Sequence, residues 1–133
     1  MEKTFIMIKP DGVKRGLMGE VISKIEKKGY KILRAKLFKP SEELVKEHYI
    51  EHKEKSFYKE LVTSIAGKNV MAMEVEGEKV IEVMRLIIGD KDPVLANPGT
   101  LRGDFANTMT ENIVHGSDSL ESSKRELKLW FSE

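Results

Sequence analysis

Lys31-Ile32-Leu33-Arg34-Ala35-Lys36-Leu37-Phe38-Lys39 alternates between apolar and basic side chains over most of its length. Leu33, Ala35 and Leu37 fall on one face and Arg34 and Lys36 on the other, which is the period of a half-buried strand. A strand with one wet face suits an antiparallel sheet. Parallel sheets are covered on both faces, and their strands read as unbroken apolar runs. Pro40-Ser41 ends the stretch. It decides between two architectures that the other elements leave open, a doubly wound parallel sheet and a split βαβ, ferredoxin-like sandwich.

Working outward, Thr4 to Ile8 is apolar and rich in strand formers, so a central strand is expected there, stopping at the turn signal Lys9-Pro10-Asp11-Gly12. From Leu17 to Lys28, Met18, Val21, Ile22 and Ile25 recur at helical spacing, and Gly29 closes the helix. Ser41 to Ile65 reads as two short helices separated by the charged stretch Glu51 to Lys55, with Phe57, Leu61 and Ile65 four apart. Val70 to Glu76 is a strand that points Met73 and Val75 inward and Glu74 and Glu76 outward. Gly77-Glu78 opens a helix with the stripe Val80, Val83, Met84 and Ile87, capped by Gly89. The last helix, from about Ser119, carries Leu120, Leu127, Trp130 and Phe131 inward. The order β-α-β-(αα)-β-α-loop-β-α predicts an α+β fold, a ferredoxin-like sandwich with a four-stranded antiparallel sheet and helices packed on it. The expected organisation is a single domain over residues 1–133.

Composition excludes several kinds of function. There is no cysteine, so disulfides, thiol catalysis and cysteine-held zinc are ruled out. Twenty-three basic residues against 22 acidic give a net charge of +1, which favours neither nucleic acid nor a membrane surface. Met1-Glu2-Lys3-Thr4 lacks the start of a signal peptide, and no apolar run approaches the ~20 residues of a membrane helix. The expectation is a soluble, cytoplasmic protein.

The chemistry concentrates in Asn112-Ile113-Val114-His115-Gly116-Ser117-Asp118. Ile113 and Val114 bring in a short buried strand, His115 stands at its end, and Gly116 permits a sharp turn. Asp118, with Glu121 three residues on, has the spacing of a capping box. Imidazole is nucleophilic near neutral pH, which makes His115 the candidate nucleophile. The preceding segment, residues 89–111, has no sustained periodicity. A loop that long in a small domain is usually functional, and Leu101 and Phe105 offer to pin it to the core. It carries Lys91, Thr100 and Arg102, which point to an anionic substrate, since the planar guanidinium pairs well with phosphate. Neither G-x-x-x-x-G-K-[ST] nor G-x-G-x-x-G occurs, so any nucleotide phosphates are held by side chains and helix ends. His48 and His52 stand four apart but lack the H-E-x-x-H pattern; solvent-facing histidines are expected.

Read together, these motifs resemble the nucleoside diphosphate kinases over nearly the whole chain. The segments are Asn97-Pro98-Gly99-Thr100-Leu101-Arg102-Gly103-Asp104-Phe105, Asn112 to Ser119, Thr4 to Val13, and Leu129-Trp130-Phe131. The resemblance implies a ping-pong transfer of the γ-phosphoryl group from a nucleoside triphosphate to His115 and on to a nucleoside diphosphate. Mg²⁺ enters with the nucleotide. It implies that Glu126 orients the imidazole, that Ser117 bonds to that carboxylate, and that Lys9 and Tyr49 stand by the transferred group. It further implies that Arg85 and Arg102 bind phosphates, that Asn112 meets the sugar, and that Phe57 stacks on the base with Leu61 and Met109 nearby. Gly89-Asp90-Lys91-Asp92-Pro93 stands where the family has G-x-T-x-P, so at the threonine's place Lys91 either brings a charge to the phosphate or swings into solvent, screened by Asp90 and Asp92. Assembly as a homo-oligomer, a hexamer or tetramer, is implied as well. Two other readings compete with this one, a nucleotide-binding sensor without activity and a ferredoxin-like nucleic-acid binder. The full set of site residues opposes the first. The charge balance and the lack of an aromatic-basic strand motif oppose the second.

Overall fold

The computed structural model describes residues 1–132. Strands β1 (Glu2–Ile8), β2 (Lys31–Phe38), β3 (Val70–Gly77) and β4 (Val114–Gly116) form one sheet in the order β2-β3-β1-β4. All its pairings are antiparallel. The helices are α1 (Pro10–Lys14), α2 (Met18–Lys27), α3 (Glu42–His48), α4 (Tyr58–Ile65), α5 (Val80–Ile88), α6 (Leu101–Phe105) and α7 (Leu120–Trp130), with a 3-10 turn at Ile50–His52. This is the antiparallel α+β sandwich that the sequence predicts.

Helices cover both faces of the sheet. Ile6, Ile8, Met73 and Val75 pack with Val21 and Ile25 of α2 and with Val80, Met84 and Ile88 of α5. Phe5, Met7, Val70 and Ala72 face the other way, against Val45, Val62, Ile65 and Trp130. Double coverage explains why Thr4 to Ile8 is an unbroken buried run although its neighbours are antiparallel.

Several local expectations differ from the structure. Lys9-Pro10-Asp11-Gly12 is not a bare turn. It starts α1, with proline in the first helical turn, where its missing N–H costs nothing. In β2 a register shift between Ile32 and Arg34 interrupts the alternation. Leu33 and Leu37 are 38% and 52% exposed on this edge strand, where Ile32 and Phe38 are the residues that pack against the two cores. Glu74 is buried rather than outward, and Arg34 Nε donates to it at 2.9 Å. The helix expected from Gly77-Glu78 begins at Val80, after a left-handed Lys79. The loop of residues 89–111 contains α6, whose Thr100 hydroxyl accepts from the Gly103 N–H. Leu101 is fully buried, as expected. The cap of α7 is Ser119, not Asp118, because the Ser119 hydroxyl accepts from the Ser122 N–H.

Gly12 lies under the entry to β4, where a Cβ would stand 2.9 Å from the Ile113 carbonyl oxygen and from the Ile8 side chain. Gly12→Ala is therefore expected to lower unfolding stability by about 1–3 kcal/mol through overpacking. Gly19→Ala meets nothing within 4 Å and is expected to raise stability by up to about 1 kcal/mol. Denaturant midpoints of the two variants check the contrast.

Candidate active site

The site is built where β4 joins the sheet edge beside β1. Met7 pairs with His115, so His115 lies inside the three-residue strand rather than at its end. Just before it, Ile113 has φ +76°. The Asn112 carbonyl accepts from the Val114 N–H across it at 2.8 Å, closing a strained three-residue turn. A β-branched residue enters this region only when its surroundings impose it. Here they do: the Asp11 carboxylate accepts from the Ile113 N–H at 3.0 Å, and the Ile113 carbonyl accepts from the Lys9 N–H at 2.7 Å.

His115 Nε2 stands 2.9 Å from Glu126 Oε1, and the Ser117 hydroxyl donates to the same oxygen at 2.7 Å. Glu126 faces the sheet because α7 is tied there: Ser123 Oγ donates to the Lys3 carbonyl at 2.6 Å. Burial alone would push the Glu126 carboxyl up. The hydrogen bond and charge of His115, with the Ser117 hydroxyl adding to them, outweigh it, and the net shift is downward. A carboxylate at Nε2 fixes the proton there and leaves Nδ1 with its lone pair. The His115 side chain is 25% exposed, so the ring is anchored on one side and open on the other.

Lys9 Nζ donates to Asn112 Oδ1 at 2.9 Å and to the Thr110 carbonyl at 3.3 Å. Burial lowers the Lys9 pKa to about 8, Asp11 opposing the shift and Arg102 adding to it. Arg102 donates to three carbonyls, those of Asn112 at 3.3 Å, Gly89 at 3.2 Å and Val114 at 2.7 Å. Burial, and then the Arg85 charge, lower it to about 10, so it stays cationic at neutral pH. A guanidinium has five N–H groups, so two remain for a ligand. Arg85 is exposed and close enough to Arg102 for its charge to act there, and Lys91 is exposed with its carbonyl 3.4 Å from Asn112 Nδ2. Tyr49 packs edge-on against His48 at 4.7 Å, and burial with the Glu126 charge raises its phenol to about 12.

A cleft of about 590 Å³ opens beside Lys9, lined also by Asp11, Lys14, Phe57, Leu61 and Met109. Phe57 is 44% exposed, an aromatic face available to a flat ligand. Lys9 joins the two halves: it lines the cleft, and its charge reaches His48 beside His115.

Sequence reasoning missed two residues. Asp11 was read only as part of a turn; its spacing from Lys9 was the available signal. His48 was expected to face solvent, but it is 3% exposed, accepts from Trp130 Nε1 at 3.0 Å and stacks edge-on against His115 at 4.8 Å. The aromatic residues that enclose it come from distant parts of the chain, which no local spacing reveals.

Comparison with known proteins agrees with this geometry. The family model described as Nucleoside diphosphate kinase matches residues 2–133. A nucleoside diphosphate kinase of an Exiguobacterium species is 58% identical over 133 residues, covering 100% of this chain and 96% of the relative. One from Saccharolobus islandicus is 50% identical over the same length, with the same coverage. A solved nucleoside diphosphate kinase family protein from Babesia bovis superposes with a TM-score of 0.97 at 45% identity, over 99% of this chain and 89% of that one. The Halobacterium salinarum enzyme in complex with CDP gives 0.95 at 42% identity, over 99% and 88%. With a family model spanning all but the first residue and relatives identical at half or more of their positions, the chain belongs to the nucleoside diphosphate kinase family.

Proposed function

We propose that this chain transfers the γ-phosphoryl group of a nucleoside triphosphate to a nucleoside diphosphate through a phosphohistidine on His115. The observation that carries the reading is the 2.9 Å contact of His115 Nε2 with Glu126, which leaves the other ring nitrogen nucleophilic. The Nδ1 lone pair attacks the γ-phosphorus, the bond to the bridging oxygen breaks, and the diphosphate leaves with that electron pair. Glu126, bonded by Ser117, balances the positive charge that grows on the ring. The second half-reaction is the reverse, with a different diphosphate.

Charge stabilisation comes from the cations around the cleft. Lys9 and the Tyr49 phenol serve the transferred group and the bridging oxygen. Arg85 and the two free N–H groups of Arg102 take the outer phosphates. Lys91, on the same loop, supplies a further positive charge. Asn112 meets the ribose, and Phe57 stacks on the base with Leu61 and Met109 beneath. Stacking tolerates any base, so one enzyme serves many nucleotides.

Mg²⁺ prefers oxygen ligands and keeps phosphates and water around it. Among the described residues the one His/Asp/Glu cluster with metal-like spacing is His48, His115 and Glu126, a nitrogen-rich set already committed to hydrogen bonds. Mg²⁺ is therefore read as arriving on the nucleotide, where it offsets the phosphate charge. Residues 1–133 are read as one catalytic domain, because a single sheet carries both cores. A cytoplasmic homo-oligomer, hexamer or tetramer, completes the reading. The bare β2 edge with Leu33 and Leu37 supports assembly, as do Leu86, Val94 and Leu95, which are 69%, 86% and 66% exposed. No helix among the described residues is long and apolar enough to cross a membrane.

Two outcomes are expected. Incubation with Mg²⁺ and γ-labelled ATP, without acceptor, should place acid-labile, alkali-stable label on the wild type and none on His115→Ala. GDP or CDP should then discharge it. Label retained by His115→Ala would move the nucleophile elsewhere. The second concerns pH. Lys9 is cationic below its pKa of about 8 and neutral above it, so kcat/KM, which reports the free enzyme, should fall as pH rises through about 8. Lys9→Arg should abolish that limb, because a guanidinium stays charged there. An alkaline limb unmoved in Lys9→Arg would assign it to another group.

A further inference from the structure

His48 is a buried imidazole that the transfer chemistry leaves unused. Its surroundings are unusually specific. Trp130 Nε1 donates to His48 Nδ1 at 3.0 Å, and both side chains are buried. An indole N–H can only donate, so Nδ1 must present its lone pair and the proton of the neutral ring sits on Nε2. Protonating Nδ1 would set two donors against each other. The ring lies edge-on to His115, centroids 4.8 Å apart at 82°. Phe5 flanks both rings, 6.1 Å from His48 and 5.8 Å from His115. Tyr49 closes the remaining side at 4.7 Å.

The charged groups facing His48 come from three elements: His115 on β4, Glu126 and Arg125 on α7, and Lys9 after β1. Glu126 matters most. Polar atoms of His48, His115 and Glu126 all lie within 4.8 Å of one another, so one carboxylate has two imidazoles in reach. A cationic His48 would compete for the carboxylate that orients the nucleophile. Arg125 holds the C-terminal end of α3 instead, donating to the Glu47 and His48 carbonyls at 3.1 and 2.7 Å.

We propose that His48, its Nδ1 occupied by the Trp130 indole, is a positioning residue that fixes the plane of the His115 ring and leaves Glu126 to His115 alone. The electrostatics agree. Burial, with the positive charges of His115, Arg125 and Lys9 adding to it and Glu126 opposing, lowers the His48 pKa to about 3. Trp130 acts beside this through geometry, its N–H occupying the atom on which a second proton would sit. The inference rests on His115 being the phosphorylated residue, and label uptake on wild-type His115 tests that part separately.

The experiment is nitrogen-15 NMR of the intact protein together with single-turnover phosphorylation by Mg²⁺ATP. In the wild type, His48 should keep an unprotonated Nδ1 and a protonated Nε2 from about pH 8 down to about pH 5, where an ordinary histidine charges. A His48 that titrates in this range, or carries its proton on Nδ1, overturns the proposal. In Trp130→Phe, His48 should begin to titrate, and the acid limb of the phosphorylation rate should move up by about one pH unit or more, with KM for ATP within about twofold. A folded Trp130→Phe whose acid limb stays at the wild-type position overturns it. Should that variant not fold, His48→Asn keeps an acceptor on the Nδ1 side but removes the ring. Its kcat should fall by about tenfold or more with KM within about twofold, and an unchanged kcat overturns the proposal.

Discussion

Ile113 is held where an isoleucine does not go unaided, at φ +76°, and the site is arranged around that constraint. Such a conformation costs about 1–3 kcal/mol, and hydrogen bonds from both sides of the turn offset it. Asp11 takes the N–H, the backbone of Lys9 takes the carbonyl, and Arg102 holds the carbonyls on either side, of Asn112 and Val114. The turn reverses the side-chain order over three residues. Asn112 is sent toward Lys9 and His115 toward Glu126, so the amide and the imidazole diverge from one point.

The same economy governs charge. Cations in water would be cheap but poorly placed, and cations buried without partners would lose their protons. Lys9 and Arg102 sit between these limits. Burial pulls both down, Lys9 to about 8 and Arg102 to about 10, yet both remain charged at neutral pH. Carbonyl and amide oxygens hold them in geometry without neutralising them. Glu126 is the counterpart, an anion held low by the His115 imidazole and the Ser117 hydroxyl, which both meet its Oε1.

Much of this was legible in the sequence where one physical rule acted alone. The run Thr4 to Ile8, the helical stripes of α2 and α5, and the glycines after them obey local periodicity and steric rules, and they appear where expected. The Asn112 to Asp118 stretch identified the nucleophile, and the family resemblance named its partners. What escaped depended on contacts between remote parts of the chain. Leu33 and Leu37 have the pattern of core residues but lie on an edge strand where the helices cover Ile32 and Phe38 instead. Glu74 has the pattern of a surface residue but is covered and paired with Arg34. His48 reads as polar and peripheral because its covering groups, Phe5, His115 and Trp130, lie up to 82 positions away. Alternation still led to the right sheet, since an interrupted pattern is what an antiparallel edge strand leaves behind.

The bond from Asp11 to Ile113 spans 102 positions, and that from Ser123 to Lys3 spans 120. Contacts of such sequence separation form late, because the chain between them must first surrender its freedom. The two halves of the catalytic centre are therefore strangers until almost the whole polypeptide is in place. A growing chain holds Lys9, Asp11 and the cleft wall long before it holds His115 and Glu126. No fragment that stops short of α7 carries an oriented nucleophile, so partly made molecules are silent rather than weakly active. Orientation of the His115 imidazole by Glu126 is in that sense a certificate that the chain has folded through α7.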